Sequence, residues 1–145
     1  MSTAIRLGSL IALRDISVTS TYFKPLIFAK LFKLLLKEFI SNSKNNGQTI
    51  SALGASTKGN VILQYCNIDS SQIESIGEVN ANKFGTLTPG SLIPIDSEES
   101  VLSKESDYLM VLPWHFRDFF VKNIKFNGRK LVFPLPSLEI IIPNN

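Results

Sequence analysis

Two glycines five positions apart enclose a lysine in the segment Gly54-Ala55-Ser56-Thr57-Lys58-Gly59-Asn60. The segment follows an apolar run at 49–53 and precedes a helix-like run at 61–66. A strand, a glycine turn and a helix in this order surround an anion with backbone N–H groups and a helix N-terminus. Because Lys58 adds a positive charge inside the turn, the segment predicts a site for a phosphate or a carboxylate.

The spacing of this turn matches neither of two well-known phosphate-binding fingerprints. A Walker loop has Lys and then Ser or Thr after its second glycine, whereas Asn60 and Val61 follow Gly59. The dinucleotide fingerprint needs three glycines, and only two are present in the turn. An ordinary strand-to-helix turn therefore remains the alternative.

A second polar loop spans residues 80–90, and its Lys83 could bind an anion. The loop is stiffened by turn-forming residues, namely Gly85, Pro89 and Gly90. Its length and polarity favour a recognition loop over a simple connector. Glu78 stands just before it, near the place where an acid grips a ribose in doubly wound folds. The other interpretation of Glu78 is a surface or capping residue.

A third loop contains the only histidine of the chain, His115. As a general base it would need an orienting partner, for which Asp118 is a candidate; a hydrogen-bonding role in ligand contact is the alternative. Trp114 would anchor the core or stack on a base or sugar. Arg117 would bind an anion or pair with Asp118. A lone histidine without Cys or acid neighbours at ligand spacing predicts no metal site.

The pattern of apolar residues predicts alternating strands and helices. Strands are predicted at 49–53, 73–79, 92–95, 108–112 and 131–133. Helices are predicted at 26–43, 60–65, 97–103 and 114–126. This alternation indicates a parallel sheet, so we predict an α/β fold: a small three-layer Rossmann-like domain with a mainly parallel sheet, preceded by an amphipathic helix. Ligands of such sheets bind outside the carboxyl ends of the strands, where the three polar loops are expected.

The leading helix, taken as 22–44, has one broad apolar face and lysines on the other side. The predicted face comprises Phe28, Leu31, Phe32, Leu35, Leu36 and Phe39. This apolar face would cover the sheet. The alternative is that the helix lies on an anionic membrane surface. We expect residues 1–20 to be a tail or a partner-docking segment and residues 21–145 to be the domain.

Composition narrows the class of protein further. At 145 residues the chain suits one domain, and its single cysteine, Cys66, excludes a disulfide framework and a multi-cysteine zinc module. We therefore expect cytoplasmic surroundings. Residues 1–44 hold seven basic and two acidic residues, and residues 45–145 hold eight and ten. A mildly acidic body argues against nucleic-acid binding. No membrane span is expected, because charges interrupt the most apolar stretch.

Four blocks carry a resemblance: GASTKGNVILQYCNID, EVNANKFGTLTPGSLIPI, DYLMVLPWHFRDFF and GRKLVFPLP. In this order and spacing, over about residues 48–138, the chain resembles the C-terminal domain of sugar C-methyltransferases. That family uses S-adenosylmethionine to methylate a carbon of a nucleotide-linked deoxysugar. Its members have a zinc domain, a donor-binding domain and then a Rossmann-like domain on the substrate side.

The resemblance implies a substrate-domain module that helps bind a nucleotide-diphosphate deoxysugar. The implied site residues are Ser56, Thr57, Lys58, Asn60, Asn80, Lys83, Gly85, Thr88, Pro89, Trp114, His115 and Arg117. The chain shows neither the cysteine cluster for zinc nor the glycine motif for the methyl donor. Both cofactors are thus expected only on missing domains, and the catalytic groups with them. A separate methyltransferase chain is a possible partner, and methyl transfer by this chain alone is not expected.

Two other functions are alternatives to the substrate-domain module. The chain could be a non-enzymatic interaction or regulatory subunit that docks on a partner through its N-terminal tail and leading helix. It could also be a small enzyme acting through His115, which would require turnover without a donor-binding domain.

Overall fold

A computed structural model of the chain describes residues 3–6 and 23–145. Within these residues, seven strands form one sheet in the order β1-β7-β6-β5-β2-β3-β4. The strands are β1 Thr3–Arg6, β2 Ile50–Leu53, β3 Ile76–Glu78, β4 Ile95–Ser97, β5 Tyr108–Val111, β6 Leu131–Phe133 and β7 Glu139–Ile142. β6, β5, β2, β3 and β4 are parallel, whereas β7 is antiparallel to both of its neighbours.

The helices lie on both faces of this sheet. They are α1 Phe23–Asn45, α2 Thr57–Cys66, α3 Glu98–Ser103 and α4 Arg117–Lys122. Alternate residues of β5 show the two faces: Met110 packs in the cluster with α1 and α2, and Leu109 in the cluster with α3 and α4. The predicted three-layer α/β domain with a mainly parallel sheet is therefore confirmed.

The sheet contains a topological switch point beside β2. The chain leaves β2 toward β3 and β4 on one side, and then crosses to β5 on the other side. The loops that follow β2 and β5 thus part in opposite directions, which opens a crevice at the carboxyl edge of the sheet. This is where doubly wound folds place their ligands.

Only part of the predicted apolar face of α1 is buried. Leu36, Phe39 and Ile40 are core residues, but the side chains of Phe28 and Leu31 are 48% and 39% exposed. A helix of 23 residues is about 35 Å long, while a four-residue strand spans roughly 13 Å. The helix is longer than the surface available to it, so its first half extends beyond the core.

The prediction of the C-terminal end needs two corrections. The single helix predicted at 114–126 is broken into a 3-10 turn, α4 and a second 3-10 turn, Ile124–Phe126. Asn123 causes the second break: it leaves the helical conformation and its side chain accepts from the N–H of Lys125 (3.2 Å). The predicted strands end at 133, so β7 is an additional strand; Pro134 and Pro136 lie between β6 and β7 and interrupt the apolar pattern there.

Among residues 1–20, strand β1 pairs with β7. The other features predicted there, including partner docking by the tail, lie outside the described residues. The division of the chain into residues 1–20 and a domain at 21–145 stays a prediction.

Candidate functional site

The crevice at the carboxyl edge of the sheet consists of two adjoining cavities. The first, of about 300 Å³, is the aromatic cavity, and its wall includes Val79, Pro113, Phe116, Phe119 and Phe120. The second, of about 410 Å³, is the threonine cavity, and its wall includes Thr57, Asn60, Thr86, Thr88 and Pro89. Both cavities share Ala55, Ser56 and Lys83. The crevice therefore draws on all three loops that the sequence placed at this edge.

Lys83 forms part of the wall between the two cavities. Its ammonium donates to the carbonyl of Ala55 (2.9 Å) and to Glu78 Oε2 (3.0 Å). These bonds connect the loop after β3 to the turn after β2. Since an ammonium has three N–H donors, one donor remains beyond these two bonds.

Glu78 ties the ends of two strands together. Its Oε1 accepts from the N–H groups of Val79 (2.8 Å) and Asn80 (3.1 Å), and its Oε2 accepts from Ala55 (3.2 Å) and Lys83 (3.0 Å). A carboxylate has about four acceptor positions, so these four hydrogen bonds occupy the acceptor positions of Glu78. The geometry favours the capping interpretation over a grip on ribose.

The environment keeps Glu78 ionised. Burial by itself raises the pKa of this carboxyl, but the hydrogen bonds from Asn80, Lys83 and Val79 together outweigh burial, and the pKa is lowered. A fixed negative charge therefore lies next to the Lys83 ammonium.

The glycine turn is shorter than predicted, because the helix that follows it begins earlier in the chain. α2 begins at Thr57, so Gly59 lies in its first turn. A Cβ on Gly59 would come within 2.5 Å of Leu112 Cβ, which shows that this glycine permits close packing of the helix on the sheet. Gly54, at φ +77°, makes the turn itself.

Several amides of the turn already have acceptors within the protein. The N–H of Ala55 donates to Glu78 Oε2, and that of Gly59 to the Ser56 side chain (3.0 Å), which caps α2. By contrast, no described residue accepts from the N–H of Thr57 or Lys58. The predicted cradle of turn amides is thus reduced to the first two N–H groups of α2.

The Lys58 side chain is exposed and lines neither cavity. Lys83, in contrast, borders both. Of these two lysines, only Lys83 lines the crevice, and ligand binding by Lys58 stays a prediction without geometric support.

The second loop divides into residues that shape it and residues that border the crevice. Asn80 caps a 3-10 turn by accepting from the N–H of Asn82 (3.1 Å), and Gly85 adopts φ +73°. Neither lines a cavity. Thr88 and Pro89 line the threonine cavity, where the buried Thr88 hydroxyl accepts from the N–H of Ile93 (2.9 Å).

The predicted residues of the third loop lie outside both cavities. Trp114 is half-buried and packs against both core clusters, which fits the anchoring role. His115 is exposed, and its candidate partner Asp118 pairs instead with Arg117 (3.6 Å) and Lys122 (3.7 Å). A general base at His115 therefore gains no support.

Arg117 has a partner that the sequence did not predict. Its guanidinium donates to both carboxylate oxygens of Glu139 on β7, at 3.1 and 3.3 Å. This bidentate pair joins α4 to the antiparallel end of the sheet, so Arg117 acts as a tie in the fold.

Two aromatic residues of the crevice are not among the predicted site residues. Phe116 and Phe119 each expose 58% of their surface, and both line the aromatic cavity. Their i, i+3 spacing at the start of a helix that follows a strand was the available signal.

One polar atom of the crevice is buried without a partner. Asn60 Oδ1 is shielded from solvent and accepts no hydrogen bond from the described residues. Leaving such an acceptor unpaired costs about 1–3 kcal/mol.

Residues 3–6 and 23–145 contain no group of three or more His, Cys, Asp or Glu that could hold a metal ion. Over the same residues, no helix has the length and apolar character needed to cross a membrane.

Comparison with known proteins adds two findings. The family described as "C-methyltransferase C-terminal domain" matches residues 19–136, most of the chain. The chain is also similar to C-methyltransferase NovU from Streptomyces niveus, with 29% identity over 109 residues. That match covers 73% of this chain but 26% of the relative, so the chain spans about a quarter of the relative's length.

Proposed function

The chain belongs to the family of C-methyltransferase C-terminal domains, and from this premise we propose that its crevice binds the substrate of a sugar C-methyltransferase, a nucleotide-diphosphate deoxysugar. The observation that carries the proposal is the Lys83 ammonium, which borders both cavities at the carboxyl edge of the sheet. A ligand with a charged centre and two different ends suits this arrangement.

The diphosphate would lie beside Lys83 and the start of α2. The remaining donor of Lys83 and the N–H groups of Thr57 and Lys58 supply positive potential there. The base and the sugar would then occupy the cavities on either side. The domain would bind and orient the ligand, while S-adenosylmethionine, zinc and the catalytic groups would belong to other parts of the enzyme.

The comparisons do not support the alternative of a non-enzymatic docking subunit. A separate methyltransferase chain as partner and a cytoplasmic location remain predictions. We also expect this chain alone not to transfer methyl groups, which a radiolabelled donor assay would check.

The proposal predicts different effects for two lysines. Lys83→Met should weaken binding of thymidine-diphosphate-glucose by about 10- to 100-fold, because a charge-assisted hydrogen bond contributes roughly 1.5–3 kcal/mol. Lys58→Met, the matched control, should change affinity by less than about threefold because its side chain lies outside the cavities. Isothermal titration calorimetry measures both.

Thermal unfolding of each variant would show whether the domain remains folded, since Lys83→Met also removes a partner of Glu78. Equal affinities for wild type and folded Lys83→Met would contradict the proposed diphosphate position. A large loss for Lys58→Met alone would restore the first sequence-based assignment.

A further inference from the structure

Two aromatic rings in the wall of the aromatic cavity are open to solvent. Phe116 and Phe119 each expose 58% of their surface, whereas Phe120, in the same wall, exposes 6%. In helical turns the side chains cover most of the backbone, so this exposed surface belongs mainly to the rings and is within reach of a ligand. Burial of a phenylalanine side chain stabilises a fold, and these two rings forgo that gain unless something covers them.

The same wall carries a pair of charged groups. The ammonium of Lys125 pairs with Oε1 of Glu98, and both residues line the aromatic cavity. An ammonium has three N–H donors and a carboxylate has about four acceptor positions, so the pair retains both donors and acceptors. The cavity thus offers aromatic surface together with hydrogen-bonding groups of both kinds. A flat ring with polar atoms along its edge matches this combination.

The threonine cavity offers different chemistry. Its wall includes the exposed residues Thr57 and Thr86, whose hydroxyls both donate and accept hydrogen bonds. Among its wall residues there is no phenylalanine, tyrosine or tryptophan. A sugar, which is not flat and carries hydroxyls, suits this cavity better than it suits the aromatic one.

We infer that the aromatic cavity binds the nucleobase of the ligand, which stacks on Phe116 and Phe119. This inference rests on the proposed function and gives the bound ligand a direction. The diphosphate lies at Lys83, which borders both cavities, and the threonine cavity is left for the sugar. The two phenylalanines are therefore binding residues rather than parts of the fold.

Calorimetry with two probes tests the inference: thymidine diphosphate and 5,6-dihydrothymidine diphosphate, whose reduced ring is no longer flat and has no π face. Wild type should prefer the flat base by about 3- to 10-fold. Substitution of both Phe116→Ala and Phe119→Ala should weaken binding of thymidine diphosphate by about 5- to 100-fold and abolish the preference. Substitution of both by tyrosine, which keeps the rings, should retain it.

Phe28→Ala is the matched control, because Phe28 is 48% exposed but lines neither cavity. Its affinity and its preference should equal those of wild type. Two results would overturn the inference. One is a wild type that binds both probes equally. The other is a folded double alanine variant that keeps the preference, as when the rings instead contact another protein surface. The wild-type comparison decides the matter even where the double variant does not fold.

Failure of the proposed function has different signatures. If Lys83→Met binds as tightly as wild type while the flat base is still preferred, the diphosphate position is wrong and the stacking stands. If wild type binds neither diphosphate, nuclear magnetic resonance with thymidine alone decides the inference. Shifts of the ring-proton signals of Phe116 and Phe119 support it, and unshifted signals up to the solubility limit of thymidine overturn it.

Discussion

At the scale of single residues, Glu78 is the most connected polar group of the crevice. It joins the turn after β2, the end of β3 and the following loop through four hydrogen bonds. Each neutral bond contributes about 1 kcal/mol, and charged ones more. The site is therefore held open by a carboxylate that the ligand need not touch.

Glu78→Gln should lower the free energy of unfolding by about 1–3 kcal/mol, because an amide nitrogen cannot accept the bonds that one carboxylate oxygen accepted. Urea unfolding measures the change. Glu74→Gln, at an exposed position just before β3, is the matched control and should have little effect. Equal stability of Glu78→Gln and wild type would refute the role assigned to this carboxylate.

The same residue predicts how stability depends on pH. The pKa of Glu78 is lower in the folded chain than in the unfolded chain, so its contribution is complete above the unfolded pKa of about 4.3. The contribution is lost as the pH falls from there through the folded pKa. Urea unfolding between pH 7 and pH 3 should show a smaller decline for Glu78→Gln than for wild type. Parallel declines would count against this contribution.

At the scale of elements, the start of α2 is positioned by close contact with the end of β5. Gly59 packs on Leu112, and Gly54 packs on Pro113, where added Cβ atoms would come within 2.5 and 2.7 Å respectively. The two glycines thus set the distance between helix and sheet. Their sequence pattern predicts an anion loop; in the structure both glycines allow close packing, and Gly54 also forms the turn at φ +77°.

Gly59→Ala should destabilise the domain by about 1–3 kcal/mol, despite the better helix propensity of alanine. The added methyl would push α2 away from Leu112 and disturb the crevice. Chemical denaturation checks the change, with Val61→Ala on the exposed side of α2 as control. A stabilised Gly59→Ala would show that propensity outweighs the contact.

At the scale of the molecule, the domain has a core on each face of the sheet and an antiparallel end. The described buried members of the two clusters lie between Leu36 and Ile141. β1 adds an outer strand by pairing with β7. Among the residues whose burial is described, the core of the parallel part is therefore formed within residues 36–141.

Removal of residues 1–22 should leave a chain that unfolds cooperatively, since the described members of both core clusters remain. It should be less stable than the full chain, because the β1 pairing is lost and β7 becomes an edge strand. Thermal circular dichroism measures the transition, and light scattering shows whether the bare edge associates. A broad, non-cooperative transition would mean that the domain needs these residues.

The sequence by itself determined the alternation of strands and helices, the three-layer class and the edge at which the loops meet. It also held the blocks that resemble the family. These properties follow from local periodicity and turn chemistry, which neighbouring residues express directly. The prediction from sequence was wrong at β7 and at the helix that breaks at Asn123. At these places the local signal was a proline or an asparagine, and neither residue type alone tells whether an element ends or continues.

Only the tertiary structure decided which side chains meet. Ala55 is 23 residues from Glu78 and 28 from Lys83, yet the three are bonded because β2 and β3 are neighbours in the sheet. Because of this adjacency, Lys83 and not Lys58 lines both cavities, and the carboxylate of Glu78 is already hydrogen-bonded within the protein. Partner choice depends on strand order, and no local pattern along the chain encodes the distance between residues so far apart.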